Sequence, residues 1–269
     1  KKIKGSILIQ SGLIKKVGKI DTTNKVKTID CKGKIIAPGF IDIHSHFREP
    51  GREDKETLAT GAQAAFSGGF TRVCVMPNTD PPLDSPESIR FIIEKSIDLP
   101  IDIFPVGAIT FGQKGLKLTE VGEMVKAGAV AISDDGLPVQ NGQVLRYALE
   151  YAQKYGVPVI NHAEDIHLRN DGVMNESSLS TRLGLPGNPD ISESVMVHRD
   201  LEIADYCRGR LHVPHVSTKR SVDLIREYKK NGVNVTAEVT PHHLGLTEEK
   251  LIEYNTDSKV SPPLRTHSD

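Results

Sequence analysis

Within Ile41-Asp42-Ile43-His44-Ser45-His46-Phe47-Arg48, two imidazoles and a guanidinium stand at alternate positions. Residues two apart on a strand point to the same side, so His44, His46 and Arg48 would project together from one strand end. Neutral imidazole suits zinc and similar ions. A guanidinium fork matches a carboxylate, so Arg48 suits an anionic substrate. Taken alone, the stretch also fits a surface strand with scattered histidines. The ends of the other apolar runs decide between the two.

Seven apolar or alternating runs occur, at 35–43, 71–76, 101–109, 129–133, 157–161, 211–216 and 233–239. The second closes in Pro77-Asn78-Thr79, the fourth in Ser133-Asp134-Asp135-Gly136, and the fifth in Asn161-His162-Ala163-Glu164-Asp165. The sixth reaches His215-Val216-Ser217, and the seventh Thr240-Pro241-His242-His243. With the first, six of seven runs end in groups able to bind a metal or a polar substrate, too many for solvated loops.

Neighbouring candidates compete for one direction. His212 and His215 are three apart and face opposite ways in a regular strand. His215, nearer the C-terminal end, is the expected ligand, and His212 a packing histidine. Of Asp134 and Asp135, one should face the metal while the other hydrogen-bonds backbone. For His242 and His243 a supporting or backbone role competes with catalysis. His167 and His198 read as structural or exposed.

The elements that must position these groups alternate strand with helix. Leu58, Ala62, Ala65 and Phe66 recur at helical spacing before Gly68-Gly69. Val197, Leu201 and Ala204 do so before Gly209, and 218–230 behaves likewise before Gly232. Repeated strand–helix units predict a parallel sheet, open or closed. An open sheet gathers its site at one switch point, often with a Gly-rich phosphate loop, and no GxGxxG or Walker loop is present. A barrel aims every strand's C-terminal end at one pocket. The expectation is an α/β fold with a (β/α)8 TIM-like barrel over 37–269. Seven of its strands are recognisable, and residues 1–36 form part of a small β domain.

Composition narrows the function classes. The 269 residues carry 34 Lys plus Arg against 35 Asp plus Glu, giving no net field for nucleic acid or an acidic membrane. No apolar run approaches the ~20 residues of a spanning helix. Cys31, Cys74 and Cys207 are odd in number and widely spaced, so a reducing cytoplasm is expected rather than a disulfide framework.

The chain resembles the class I dihydroorotases of the cyclic amidohydrolase superfamily. The resemblance rests on HSHFREPG (44–51), MPNT (76–79), SDDG (133–136), NHAED (161–165), HVS (215–217), EVTPHH (238–243) and SPPLR (261–265), and spans essentially the whole chain. It implies that His44 and His46 hold a first metal position and His162 and His215 a second. Asp135 takes the strand-four place where related hydantoinases carry a carboxylated lysine. It implies that Arg48 and Asn78 hold the substrate carboxylate, with Ser261 where the family usually has Asn. The implied reaction is zinc-dependent, reversible hydrolysis of (S)-dihydroorotate to N-carbamoyl-L-aspartate in pyrimidine synthesis, with one or two Zn2+ ions. The partner is a small molecule, and a homodimer or a complex with another pathway enzyme is compatible with it.

Two features depart from the family pattern. SPPLR is closer to hydantoinases, which keeps an allantoinase or hydantoinase as an alternative. The proton-shuttling Asp of the eighth strand, in a D-x-A-P-H motif, is not within these residues. Together with the missing eighth strand and the start at Lys1 rather than Met, this gives the expectation of a partial chain. A non-catalytic barrel serving binding or assembly is the alternative from another class.

Overall fold

A computed structural model describes residues 3–21 and 26–269. The chain divides after Pro38 into two compact units. In the first, β1 (Ser6–Gln10) and β2 (Leu13–Gly18) pair antiparallel, with a register shift between Leu8 and Ile9.

The second unit alternates strand and helix: β3 (Phe40–Ser45), α1 (Leu58–Ser67), β4 (Phe70–Val75), α2 (Pro86–Ser96), β5 (Asp102–Gly107), α3 (Val121–Ala127), β6 (Ala131–Ser133), α4 (Gly142–Tyr155) and β7 (Val159–Ile160). An excursion follows, with α5 (Ile166–Arg169), β8 (Met174–Asn175), α6 (Ser178–Leu183) and β9 (Gly187–Asn188), in which β8 and β9 pair with each other. Then come α7 (Ile191–Cys207), β10 (Leu211–Val213), α8 (Lys219–Lys230), β11 (Val235–Ala237) and α9 (Pro241–Gly245). No described helix is long and apolar enough to cross a membrane.

Hydroxyls and amides set the helix starts. Thr57, Ser85, Asn141 and Thr218 accept from backbone N–H groups in the first turns of α1, α2, α4 and α8, which those turns cannot satisfy internally. At the far end of α7 the left-handed position falls on Arg208, φ 52°, one residue before the glycine expected to close it.

Seven strands, β3 to β7 followed by β10 and β11, form one parallel sheet in chain order. Six spacings of about 4.8 Å would put the outermost strands of a flat sheet roughly 29 Å apart. Instead, Nδ1 of His44 on β3 lies 2.6 Å from Oε1 of Glu238, the residue after β11. The sheet is therefore curled into a barrel that lacks one stave among the described residues. The apolar run at 35–43 becomes a strand only from Phe40.

Strand alternation sorts the apolar side chains into two sets. Val73, Val75, Ile103, Ile132, Val159, Leu211, Val213 and Val235 join helix residues such as Leu145, Leu149, Leu201 and Leu224 in the main core. Cys74, Met76, Val106, Ala131 and Ile160 make a separate small cluster inside the curl. The first set binds helices to the sheet, and the second is the floor beneath the strand ends.

Leu201 is completely buried on α7, in the layer where that helix packs against α4 and α8. Leu201→Ala is expected to destabilise the protein by about 2–5 kcal/mol. Urea unfolding checks this, as a lower midpoint at unchanged m-value.

Candidate metal centre

Three strand ends, those of β3, β7 and β10, bring imidazoles to one carboxylate, that of Asp135 at the end of β6. Its Oδ2 lies 3.2 Å from Nε2 of His44 and 3.3 Å from Nε2 of His46. Its Oδ1 lies 3.3 Å from Nε2 of His215 and 3.8 Å from Nδ1 of His162. Nδ1 of His162 and Nε2 of His215 are 3.0 Å apart. Each carboxylate oxygen thus faces one histidine pair.

Strand parity explains most of this. Parallel partners share a face, and Ser133 pairs with Ile160 while Ile160 pairs with His212. Continuing the inner row from Ala131 and Ser133 leads to Asp135, and from Ile160 to His162. The intervening residues turn away. Asp134 accepts from the backbone N–H groups of Ile109 and Thr110, at 2.8 and 3.0 Å, on the neighbouring strand's extension. Asn161 donates to Asp200 of α7 at 2.6 Å. After Asp135 the chain turns at Gly136, φ 87°, where a Cβ would also come within 3.0 Å of Nδ2 of Asn78.

His215 breaks the parity. Along a continued β10 it would face the helices with Leu211 and Val213, yet its ring nitrogen is at Asp135. Its φ of 37° supplies the turn inward, a region uncommon for a residue with a side chain. His212 differs from the packing role expected of it. It lies inside the curl, its Nδ1 2.8 Å from Oγ1 of Thr236 and its Nε2 3.5 Å from Oε2 of Glu238, too far for a well-made hydrogen bond.

The outward ring nitrogens are held as well. Nδ1 of His44 meets Glu238, Nδ1 of His46 is 2.8 Å from Oδ1 of Asn78, and Nε2 of His162 is 3.4 Å from Oε2 of Glu164. Such outer acceptors fix the tautomer and raise ligand basicity in metal-binding histidines. The ligand atoms of His44, Asp135 and His215 lie within 4.8 Å of one another, close enough for one ion. A buried acid, four inward imidazoles and outer acceptors on three of them form a donor set that fits a divalent ion of the zinc type.

The other expected residues are placed as follows. Arg48 is half-buried with φ 55°, close enough to depress His46 electrostatically, and its side chain has no hydrogen-bond partner among the described residues. Ser261 is exposed on a cavity of about 290 Å³ that Arg169, Asn188 and Lys259 also line and that none of the four histidines lines. His243 packs on backbone, with Nε2 3.0 Å from the Pro262 carbonyl oxygen. Glu238 and Glu164 lay inside quoted motifs, EVTPHH and NHAED, but had no role in the sequence reading.

Burial lowers the charge affinity of all four imidazoles, and carboxylate contacts decide which escape. For His44 the bonds to Asp135 and Glu238 outweigh burial and carry the pKa up to about 10. For His162, Asp135 and Glu164 carry it up to about 9. Burial prevails at His46 and His215, whose values fall. Burial would also raise Asp135, but His162, His215 and His44 hold it well below the usual carboxylate range. Glu238 is drawn down to about 2 against its burial, by His212 and His44.

These shifts predict a pH dependence for the metal-free protein. A histidine whose folded pKa exceeds its unfolded value near 6.5 stabilises the fold fully below that value and loses the contribution as pH rises through the folded one. With His44 near 10 and His162 near 9, Tm in chelator is expected to fall progressively from about pH 6.5 to about pH 10. Glu238→Gln removes one carboxylate holding His44 and should flatten the fall. Melts across this range check it, and an unaltered slope in Glu238→Gln would refute the assignment.

A family model described as dihydro-orotase-like matches residues 33–221. The chain is 47% identical over 267 residues to a dihydroorotase of Desulforapulum autotrophicum, covering 98% of this chain and 63% of that protein. It is 49% identical over 263 residues to a dihydroorotase of Pelotomaculum thermopropionicum, covering 98% and 62%. The chain thus spans a little over three-fifths of the length of these relatives. Among solved structures, an L-hydantoinase (dihydropyrimidinase) from Arthrobacter aurescens superposes with a TM-score of 0.81 at 22% identity, over 97% of this chain and 60% of that one. A D-hydantoinase superposes with a TM-score of 0.77 at 24% identity, over 97% and 60%. At these identities the structural likeness concerns the fold, the TIM barrel of the amidohydrolases. Family model and sequence relatives agree, and the chain belongs to the dihydro-orotase-like family.

Proposed function

We propose that this chain forms the ion-binding part of a zinc-dependent dihydroorotase. The enzyme interconverts (S)-dihydroorotate and N-carbamoyl-L-aspartate in de novo pyrimidine synthesis, in the cytoplasm. The observation that carries the reading is the convergence of His44, His46, His162 and His215 on Asp135. A zinc ion bound there would supply Lewis acidity and bring the pKa of water from about 15.7 to about 7.

In the hydrolytic direction water adds across the ring amide. Its oxygen joins the carbonyl carbon, the C–N bond breaks, and the nitrogen takes a proton. The chain's own groups hold the reactants for this step. His44 and His46 on one side of Asp135, and His162 and His215 on the other, provide places for one ion or two. Arg48, with its fork uncommitted, binds the ring carboxylate. Asn78 assists through Nδ2, its Oδ1 being engaged by His46. Anchoring the carboxylate aligns the reacting carbonyl with the ion site, which removes orientational freedom from the reaction. By family resemblance, the proton passes through a carboxylate of the family's eighth strand.

Arg48 also separates this reading from a hydantoinase or allantoinase, whose substrates lack the ring carboxylate. Full-length protein is expected to hydrolyse dihydroorotate in preference to hydantoin and allantoin, to lose activity in chelator, and to recover it with Zn2+. Arg48→Ala should raise KM for dihydroorotate on the order of 10- to 100-fold, the loss of a charge-assisted contact, at unchanged metal content. Loss of metal with KM intact would show that Arg48 does not bind substrate.

A further inference from the structure

His215 occupies a left-handed backbone position, and its side chain meets only groups of the ion site itself, Asp135 and His162. A residue in such a conformation persists when its surroundings over-determine it. The surroundings here are two buried charged side chains that grip the next turn. Glu193, on α7 and 3% exposed, accepts from the N–H groups of Ser217 and Thr218, at 3.1 Å each at closest, and from both hydroxyls. Thr218 is also the residue that caps α8. Arg265, 4% exposed, donates through Nε to the Ser217 hydroxyl at 3.2 Å.

The same guanidinium reaches the other histidine of that pair. Nη1 of Arg265 donates to the Asn188 carbonyl at 2.7 Å and to Oδ1 of Asn175 at 2.9 Å. The Asn188 side chain donates to Glu164 at 2.9 Å, and Glu164 faces His162. None of these groups touches the ion position.

We infer that Glu193 and Arg265 are positioning residues: gripping Ser217 from two sides, they hold His215 aimed at Asp135, and through Asn188 and Glu164 Arg265 ties His162 to the same frame. This rests on the metal reading above. The consequence is local to one face of Asp135, because His44 and His46 are supported separately by Glu238 and Asn78.

The test uses Co2+ titration of full-length protein, read by the visible ligand-field spectrum and by affinity. Glu193→Gln presents an amide N–H₂ where backbone donors need an acceptor. Arg265→Lys keeps the charge but cannot serve Ser217 and Asn188 together. Both are expected to weaken Co2+ binding by about 10- to 100-fold and to alter the spectrum. Ser217→Thr, which keeps the shared hydroxyl, should stay near wild type. Ser217→Ala, a milder change, should shift the spectrum in the same sense and serves if the charged variants fail to fold. Wild-type affinity and spectrum in the folded variants, with only Tm lowered, would overturn the positioning role. Failure of the wild type itself to take up Co2+ would overturn the metal reading, and this inference with it.

Discussion

Asp135 is an almost fully buried carboxylate, and the barrel's upper end is built around its charge. Removing a carboxylate from water is costly unless opposite charge and hydrogen bonds replace the solvent. Four imidazoles supply that replacement, and they arrive from β3, β7 and β10. Two of them hold protons well into the alkaline range, so in the metal-free molecule they take the place of a cation. The same arrangement that tolerates the buried acid is suited to exchange those protons for a divalent ion.

The curl of the sheet makes the convergence possible. Groups from the first and seventh strands of a flat sheet could not meet, whereas here His44 and Glu238 are in direct contact. The small apolar cluster around Val106 and Ile160 fills the interior below, leaving polar groups to occupy the strand ends. Outward residues on the same strands serve the helix layer instead, as Asn161 does in binding Asp200. Packing and chemistry are divided by strand parity, with His215 as the exception that needs its own support.

Periodicity and strand-end chemistry made much of this legible in one dimension. The seven strands, the helices closing at Gly68 and near Gly209, and the placing of His44, His46, His162 and His215 at strand ends follow from local pattern, while the choice of Asp135 over Asp134 came from the family resemblance. The supports were harder to see. Glu193 sits on a helix among other acids, Arg265 closes the SPPLR string, and nothing in their spacing marks them as partners of Ser217. His212 was misjudged because alternation was applied past the end of a strand only three residues long.

What the sequence by itself determined is the alternation of elements and the placing of ligand-type residues at strand ends, since both are properties of neighbours a few positions apart. Only the tertiary structure decided how those residues meet. Which oxygen of Asp135 faces which histidine pair depends on the closure of the sheet. The inward turn of His215 depends on a carboxylate 22 residues earlier, seated in place by packing of α7. Such contacts join segments distant in the chain, and no local pattern records them. The opening stretch shows both halves: its spacing sets His44 and His46 on one face, while Glu238 and Asn78 set which ring nitrogen each presents.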